Sequence, residues 1–175
     1  MSAADFQNDL RFTEQARSLI VRDLYPKLTK GRGFVSVNGS AGSLWLQKNA
    51  HIDAVLQVAP NRSVTVEEKI VRQKYSAFTI ETHSVLESGE RNGWIYASTA
   101  DWLLYAFCVP GGLECWFMAL PSLREWFALH ETRYRHCDTL NRFLNGTMYH
   151  TRCRIVPIRD IACQKWLYSL TKEAA

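Results

Sequence analysis

Long uninterrupted apolar runs are missing from this chain of 175 residues. None approaches the roughly 18 residues of a membrane-spanning helix, so no membrane partner is expected. The opening MSAADFQNDLRFTEQ lacks the basic-then-apolar order of an export signal, and a cytoplasmic location is expected. No two cysteines have C-x-x-C spacing. The five fall singly at 108, 115, 137, 153 and 163, which reads as reduced, mostly buried thiols rather than a disulfide framework. His136, Cys137, His150 and Cys153 lack the tight first pair of a structural zinc site, and zinc is not expected. A strong charge of one sign is lacking too. Twenty-one Lys and Arg against 17 Asp and Glu give +4, which permits an anionic partner without demanding one. There is no internal repeat, low-complexity tract or dividing linker, so residues 1–175 read as one domain.

What is present is apolar side chain. At 47% hydrophobic and 22% charged, the chain has the material for a packed core. Phe12, Ala16, Leu19, Ile20, Leu24 and Leu28 recur at helical spacing and predict a helix over 5–30, ended by the glycines of KGRGF. Residues 31–43 read as a loop or short strand. LWLQ and HIDAVLQV, then SVTVEEKIVRQ beyond Ala59-Pro60-Asn61, then AFTIETHSV, read as strands. STADWLLYAFCV (98–109) reads as a helix with Ser98 or Thr99 as cap and Asp101 in its first turn. A strand over 113–120, a helix over 121–135, a strand RCRIVPI and a helix over 160–171 complete an α/β fold with a central mixed sheet flanked by helices.

Two of these strands carry charge where a buried strand should not. Asp53 interrupts the first, and Glu67, Glu68 and Lys69 interrupt the second. Strand side chains alternate, so Ser63, Thr65, Glu67 and Lys69 share one face and Val64, Val66, Glu68 and Ile70 the other. Glu67 and Lys69 then project together, about 7 Å apart by strand rise. An Asp and a Glu from adjacent strands make a hard oxygen site for Mg2+ or Mn2+. A lysine beside them can orient a water or steady a phosphate oxygen. A cation and a lysine at a phosphodiester are the parts of metal-assisted hydrolysis.

Asp53 followed, after thirteen residues, by Glu67-x-Lys69 resembles the motif of the PD-(D/E)XK nuclease superfamily. That superfamily includes restriction enzymes, Holliday junction resolvases and phage recombination nucleases. Its restriction-endonuclease-like core runs helix, three strands, helix, strand, which is similar to the order predicted over residues 5–120. The loop before Thr99-Ala100-Asp101 adds a looser likeness to phage-type members. The resemblance implies metal ligation by Asp53, Glu67 and the backbone carbonyl of Glu68, with Lys69 serving the attacking water. It makes 121–175 a family-specific addition packed on the core. The chain departs from the pattern twice. Ile52 stands where proline is usual, and Glu68 where an apolar residue is usual. Either Glu68 is twisted out of the core, or the register is off by one and Glu68 takes part in the site.

Other candidates are weighed against plainer roles. Glu81, on the Thr79–His83 face of its strand, is either a further metal ligand or a solvent-facing glutamate. Glu14, a helix acid in the position where related nucleases supply a ligand, falls roughly 160° from the apolar stripe and reads better as exposed. Trp94, Tyr96, Trp102 and Tyr105 could stack on bases but read better as core. Lys30, Arg32, Arg72 and Lys74 are the basic residues set aside for a phosphate backbone, ordinary surface charge being the alternative. The leading expectation is a Mg2+- or Mn2+-dependent nuclease, of endonuclease type, acting on DNA. The alternatives are a nucleic-acid-binding or assembly protein that keeps the fold without cutting, and a plain interaction domain. A homodimer is left open.

Overall fold

The computed structural model describes residues 12–37, 46–88, 91–142, 146–161 and 168–169. The described part of the first helix, α1, covers residues 12–29, and its middle, Ile20–Leu24, is wound as a π-helix. Pro26 follows at once. It has no N–H to donate and its ring crowds the preceding turn, so regular α geometry is lost just before it. Ala16, Ile20, Leu24, Tyr25 and Thr29 are buried. The helix stops at Lys30 and Gly31, both with positive φ (52° and 75°), as the glycines predict.

The strands are β1 (Phe34–Ser36), β2 (Ala54–Ala59), β3 (Arg62–Val71), β4 (Ala77–Ser84), β5 (Arg91–Asn92), β6 (Trp102–Val109), β7 (Gly112–Ala119), β8 (His136–Arg142), β9 (Met148–Pro157) and β10 (Tyr168–Ser169). A one-turn helix α2 (Trp94–Ala97) precedes β6, and α3 (Leu120–His130) follows β7. One sheet has the order β1-β2-β3-β6-β7-β10 and is mixed: β3 and β6 are parallel, the other pairs antiparallel. The second sheet has the order β5-β4-β9-β8 and is antiparallel. The fold is thus α/β, with a mixed central sheet flanked by helices. Among the described residues no helix is long and apolar enough to cross a membrane.

Parity along β6 shows how the layers meet. Leu104 and Ala106 pack with Ala16, Ile20, Leu24 and Tyr25 of α1, on one face of the central sheet. Leu103, Tyr105 and Phe107 pack with Phe78, Ile80 and Val156 of the second sheet and with Leu123 and Phe127 of α3. The central sheet is therefore covered on both faces. Trp94 and Tyr105 are core residues, while Trp102 is half-buried and stacked on Phe117 at 5.0 Å.

Several expected elements differ. The helix predicted over 98–109 is strand β6. WLLYAFCV is apolar throughout because β6 is buried on both faces, and such a run has no period to tell strand from helix. The capping signals are real but tie the strand to its neighbour: Asp101 accepts from the Thr65 N–H (2.8 Å) and hydroxyl (2.9 Å). AFTIETHS is a strand, yet it joins β9 in the second sheet rather than the β2–β3 hairpin. Leu46–Ala50 is a helical turn rather than strand, and the strand read from His51 begins at Ala54. β8 was not foreseen. Tyr168–Ser169, placed in a final helix, pairs with β7 as strand. Residues 5–11 of the first predicted helix, Leu44, Trp45 and Cys163 lie outside the described residues.

Candidate active site

β2 and β3 pair from Ala54↔Val66 toward their turn. Beyond Val66, β3 continues for five residues with β6 on one edge, Glu67↔Leu103 to Val71↔Phe107. On the other edge β2 has ended, and Asp53 stands at the corner. Its N–H donates to Val66 O (2.8 Å), and its Oδ2 accepts from the Glu68 N–H (2.8 Å). The Asp53 side chain thus takes the place of the missing strand. Its carbonyl accepts from Val37 N–H (2.9 Å) and from Arg17 Nη2 (2.8 Å).

The turn that delivers Asp53 is pinned from behind. His51 has a positive φ of 49°, and its carbonyl accepts from Ser98 Oγ at 3.0 Å. Ala50 O accepts from both the N–H and the hydroxyl of Thr99. Gly93, which opens α2, lies against β4: a Cβ there would overlap the Glu81 carbonyl, so the crossover closes only on glycine.

Glu67 is buried, 2% exposed, on the face toward the second sheet. Its Oε1 lies 2.9 Å from Lys69 Nζ. Burial pushes the Glu67 carboxyl up to about 7; the Lys69 charge opposes this, and the nearby Asp53 charge adds to it. Lys69, about a third exposed, is pushed down by burial, but Glu67, then Glu81 and Asp53, outweigh that and hold it above its usual range. Its ammonium also lies 5.7 Å from the Trp94 ring centroid. His51 is lowered, first by burial and then by Lys69. Asp53, Glu67, Lys69, Glu81 and His51 therefore form one electrostatic cluster.

Comparison of the chain with protein-family models, with curated proteins and with solved structures returns no match.

The predicted parity of β3 agrees with this geometry: Glu67 and Lys69 point together, and Glu68 points away. The Glu68 side chain does not join the cluster. It is buried (4% exposed) beneath α1, where the Tyr25 hydroxyl donates to Oε1 and Arg17 Nε lies 3.3 Å from Oε2. Glu81 comes from the second sheet rather than from a strand beside β3, and its charge acts on Lys69 and His51. Glu14 is exposed on α1. Lys30 and Arg32 do not reach the site: Arg32 donates to Thr29 O and Val58 O, near the end of β2 remote from Asp53. Lys74 pairs with Glu114. The Arg72 guanidinium lies 4.9 Å from the Phe12 ring, beside a groove of about 630 Å³ lined by Phe12, Arg72, Gln73, Tyr75 and Asn141.

Arg17, Tyr25 and His51 are the contributors that sequence reasoning missed. Nothing local in the chain links a helix arginine to a strand glutamate 51 positions later. Among the described residues no three His, Cys, Asp or Glu side chains gather in a ready-made metal cluster. The donor set still suits a hard cation that keeps most of its water: Mg2+ is commonly held by one or two carboxylates. Asp53 and Glu67 are two carboxylates at this corner, close enough for the Asp53 charge to act on Glu67. A strand residue's N–H and C=O point to the same side, so the Glu68 carbonyl faces the open edge that its N–H shares with Asp53.

Proposed function

We propose that the protein is a Mg2+- or Mn2+-dependent nuclease that hydrolyses DNA phosphodiesters, with Asp53, Glu67 and Lys69 as its reactive group. The observation that carries the reading is the stretch of β3 beyond β2, without a strand partner on that edge among the described residues, where Asp53 bonds the Glu68 N–H and Glu67 and Lys69 project together. The element order supports it as well. A helix, the antiparallel β1-β2-β3 meander and, after β4, β5 and a one-turn helix, a fourth strand parallel to β3 resemble the PD-(D/E)XK core, with β6 in the place first given to a helix. The second sheet and α3 stand as additions to that core.

In this reading Asp53, Glu67 and the Glu68 carbonyl hold the cation, which when bound supplies Lewis-acid charge stabilisation and an acidified water. Glu67 must ionise to serve as a ligand. With its carboxyl near 7, loading at neutral pH displaces a proton. Lys69 keeps its charge throughout and offers donors to the attacking water or to a phosphate oxygen. Water adds across a P–O bond, and the leaving oxygen departs protonated. The groove at the end of β3, with a guanidinium and an exposed tyrosine, gives a strand leaving the site a place to lie.

One observation favours a second reading, a DNA-binding protein that does not cut: the Lys69 ammonium is already engaged by Glu67. Calorimetric titration with Mn2+ separates the two. The nuclease reading expects binding by wild type and its loss in Asp53→Asn. Absence of binding by wild type between pH 7 and 8 would remove the nuclease reading.

A further inference from the structure

Glu68 is the side chain that the proposed chemistry leaves unused, and it is costly to keep. Its carboxylate is buried between β3 and α1, and burial holds it above the usual carboxylate range. Of its two partners Tyr25 is fully buried, at 0% exposed, and Arg17 is half-buried, its side chain 14% exposed. A buried ion pair of this kind is weak support for stability, because apolar residues of similar volume commonly do as well or better. Packing alone therefore does not account for an Arg–Glu–Tyr group at a position that parity assigns to the core.

The contacts of this group converge on one residue. Arg17 sets Nε 3.3 Å from Glu68 Oε2, an ion-pair contact outside hydrogen-bond geometry, and donates from Nη2 to the Asp53 carbonyl. Glu68 is held by its side chain on the α1 face while its N–H holds Asp53 Oδ2 at the sheet edge. The Asp53 carbonyl is thus held by the Arg17 guanidinium, and its carboxylate by the N–H of a clamped strand residue. Lysine could not reproduce this, since its single ammonium lacks the rigid two-ended geometry.

We propose that Arg17, Glu68 and Tyr25 are positioning residues: from beneath the sheet they fix Asp53 and the open edge of β3 in the geometry that receives the cation. The proposal rests on the nuclease reading for its purpose, but its structural content stands apart. Misplacing a reacting group by about 1 Å costs about a hundredfold in rate.

The test is the all-apolar triple variant Arg17→Met/Tyr25→Phe/Glu68→Leu, which leaves no buried charge or hydroxyl unpaired. Three readouts are taken: thermal midpoint, hydrogen exchange at the amide of residue 68, and Mn2+-dependent cleavage with kcat separated from KM. The midpoint should hold or rise. Exchange at residue 68 should quicken about tenfold as its bond to Asp53 loosens, and kcat should fall about a hundredfold with KM for DNA little changed. Wild-type exchange together with wild-type kcat in a folded triple variant overturns the proposal. If the triple variant does not fold, Arg17→Lys keeps the charge beside Glu68 but loses the second donor. Faster exchange at residue 68 is again expected, and unchanged exchange overturns the proposal. Should wild type cut nothing, the nuclease reading fails, and the exchange measurement still decides whether the group positions Asp53.

Discussion

Glu67→Gln should stabilise the metal-free protein, and by an amount that grows with pH. The Glu67 carboxyl is raised from 4.5 to about 7, with burial the largest cause. The sign follows directly. Below 4.5 the group is protonated whether the chain is folded or not, and contributes nothing. Between 4.5 and 7 the unfolded chain sheds the proton that the folded chain retains, so stability falls as pH rises. Above 7 both forms are ionised and the loss is complete. Moving from 4.5 to about 7, at about 1.4 kcal/mol per pH unit, gives a full penalty of about 3 kcal/mol. Roughly 1 kcal/mol of this is already present at pH 5, so about 2 kcal/mol develops between pH 5 and pH 8. Glutamine keeps the shape and an acceptor for Lys69, and never ionises. Urea unfolding of wild type and variant at pH 5 and pH 8, without divalent ions, reads the difference. The gap between the two proteins should widen by about 2 kcal/mol across that interval with equal m-values. A gap that does not change with pH, or that closes as pH rises, would refute the assignment of a buried Glu67 carboxyl raised by its burial.

Two further outcomes follow from the geometry. Asp101→Ala removes an acceptor for both the Thr65 N–H and hydroxyl, which stitch β3 to β6, and should cost about 1–2 kcal/mol in denaturant unfolding without altering Mn2+ affinity. Arg72→Ala should weaken DNA binding and lower the slope of log K against log salt by about one, and Tyr75→Ala should weaken single-strand binding by about 1 kcal/mol or more, both measured by fluorescence anisotropy in Ca2+.

The facing of the β3 side chains was more legible in the sequence than the fold around them. Parity alone put Glu67 and Lys69 on one face and Glu68 on the other, because the two-residue period of a strand needs no knowledge of its neighbours. The end of α1 was legible because Gly31 and Gly33 can take positive φ at no steric cost. Strand β6 was misread because a strand buried on both faces loses its period, and the polar residues before it resemble a helix cap while bonding across to β3 and to the turn before Asp53. β4 was found as a strand, but nothing in AFTIETHS encodes that its partner is β9, more than seventy residues later. The partners of Glu68 were illegible for the same reason: tertiary contact, not local pattern, brings Arg17 and Tyr25 beneath it.

The most direct test of the central claim is cleavage of a panel of single-stranded, duplex, flapped and branched DNA with Mg2+ or Mn2+ by wild type and by Asp53→Asn. The account predicts metal-dependent hydrolysis of at least one substrate by wild type and its loss in the variant, whose fold is unchanged. Undiminished cleavage by Asp53→Asn, or no cleavage of any substrate by a wild type that binds Mn2+, would contradict it.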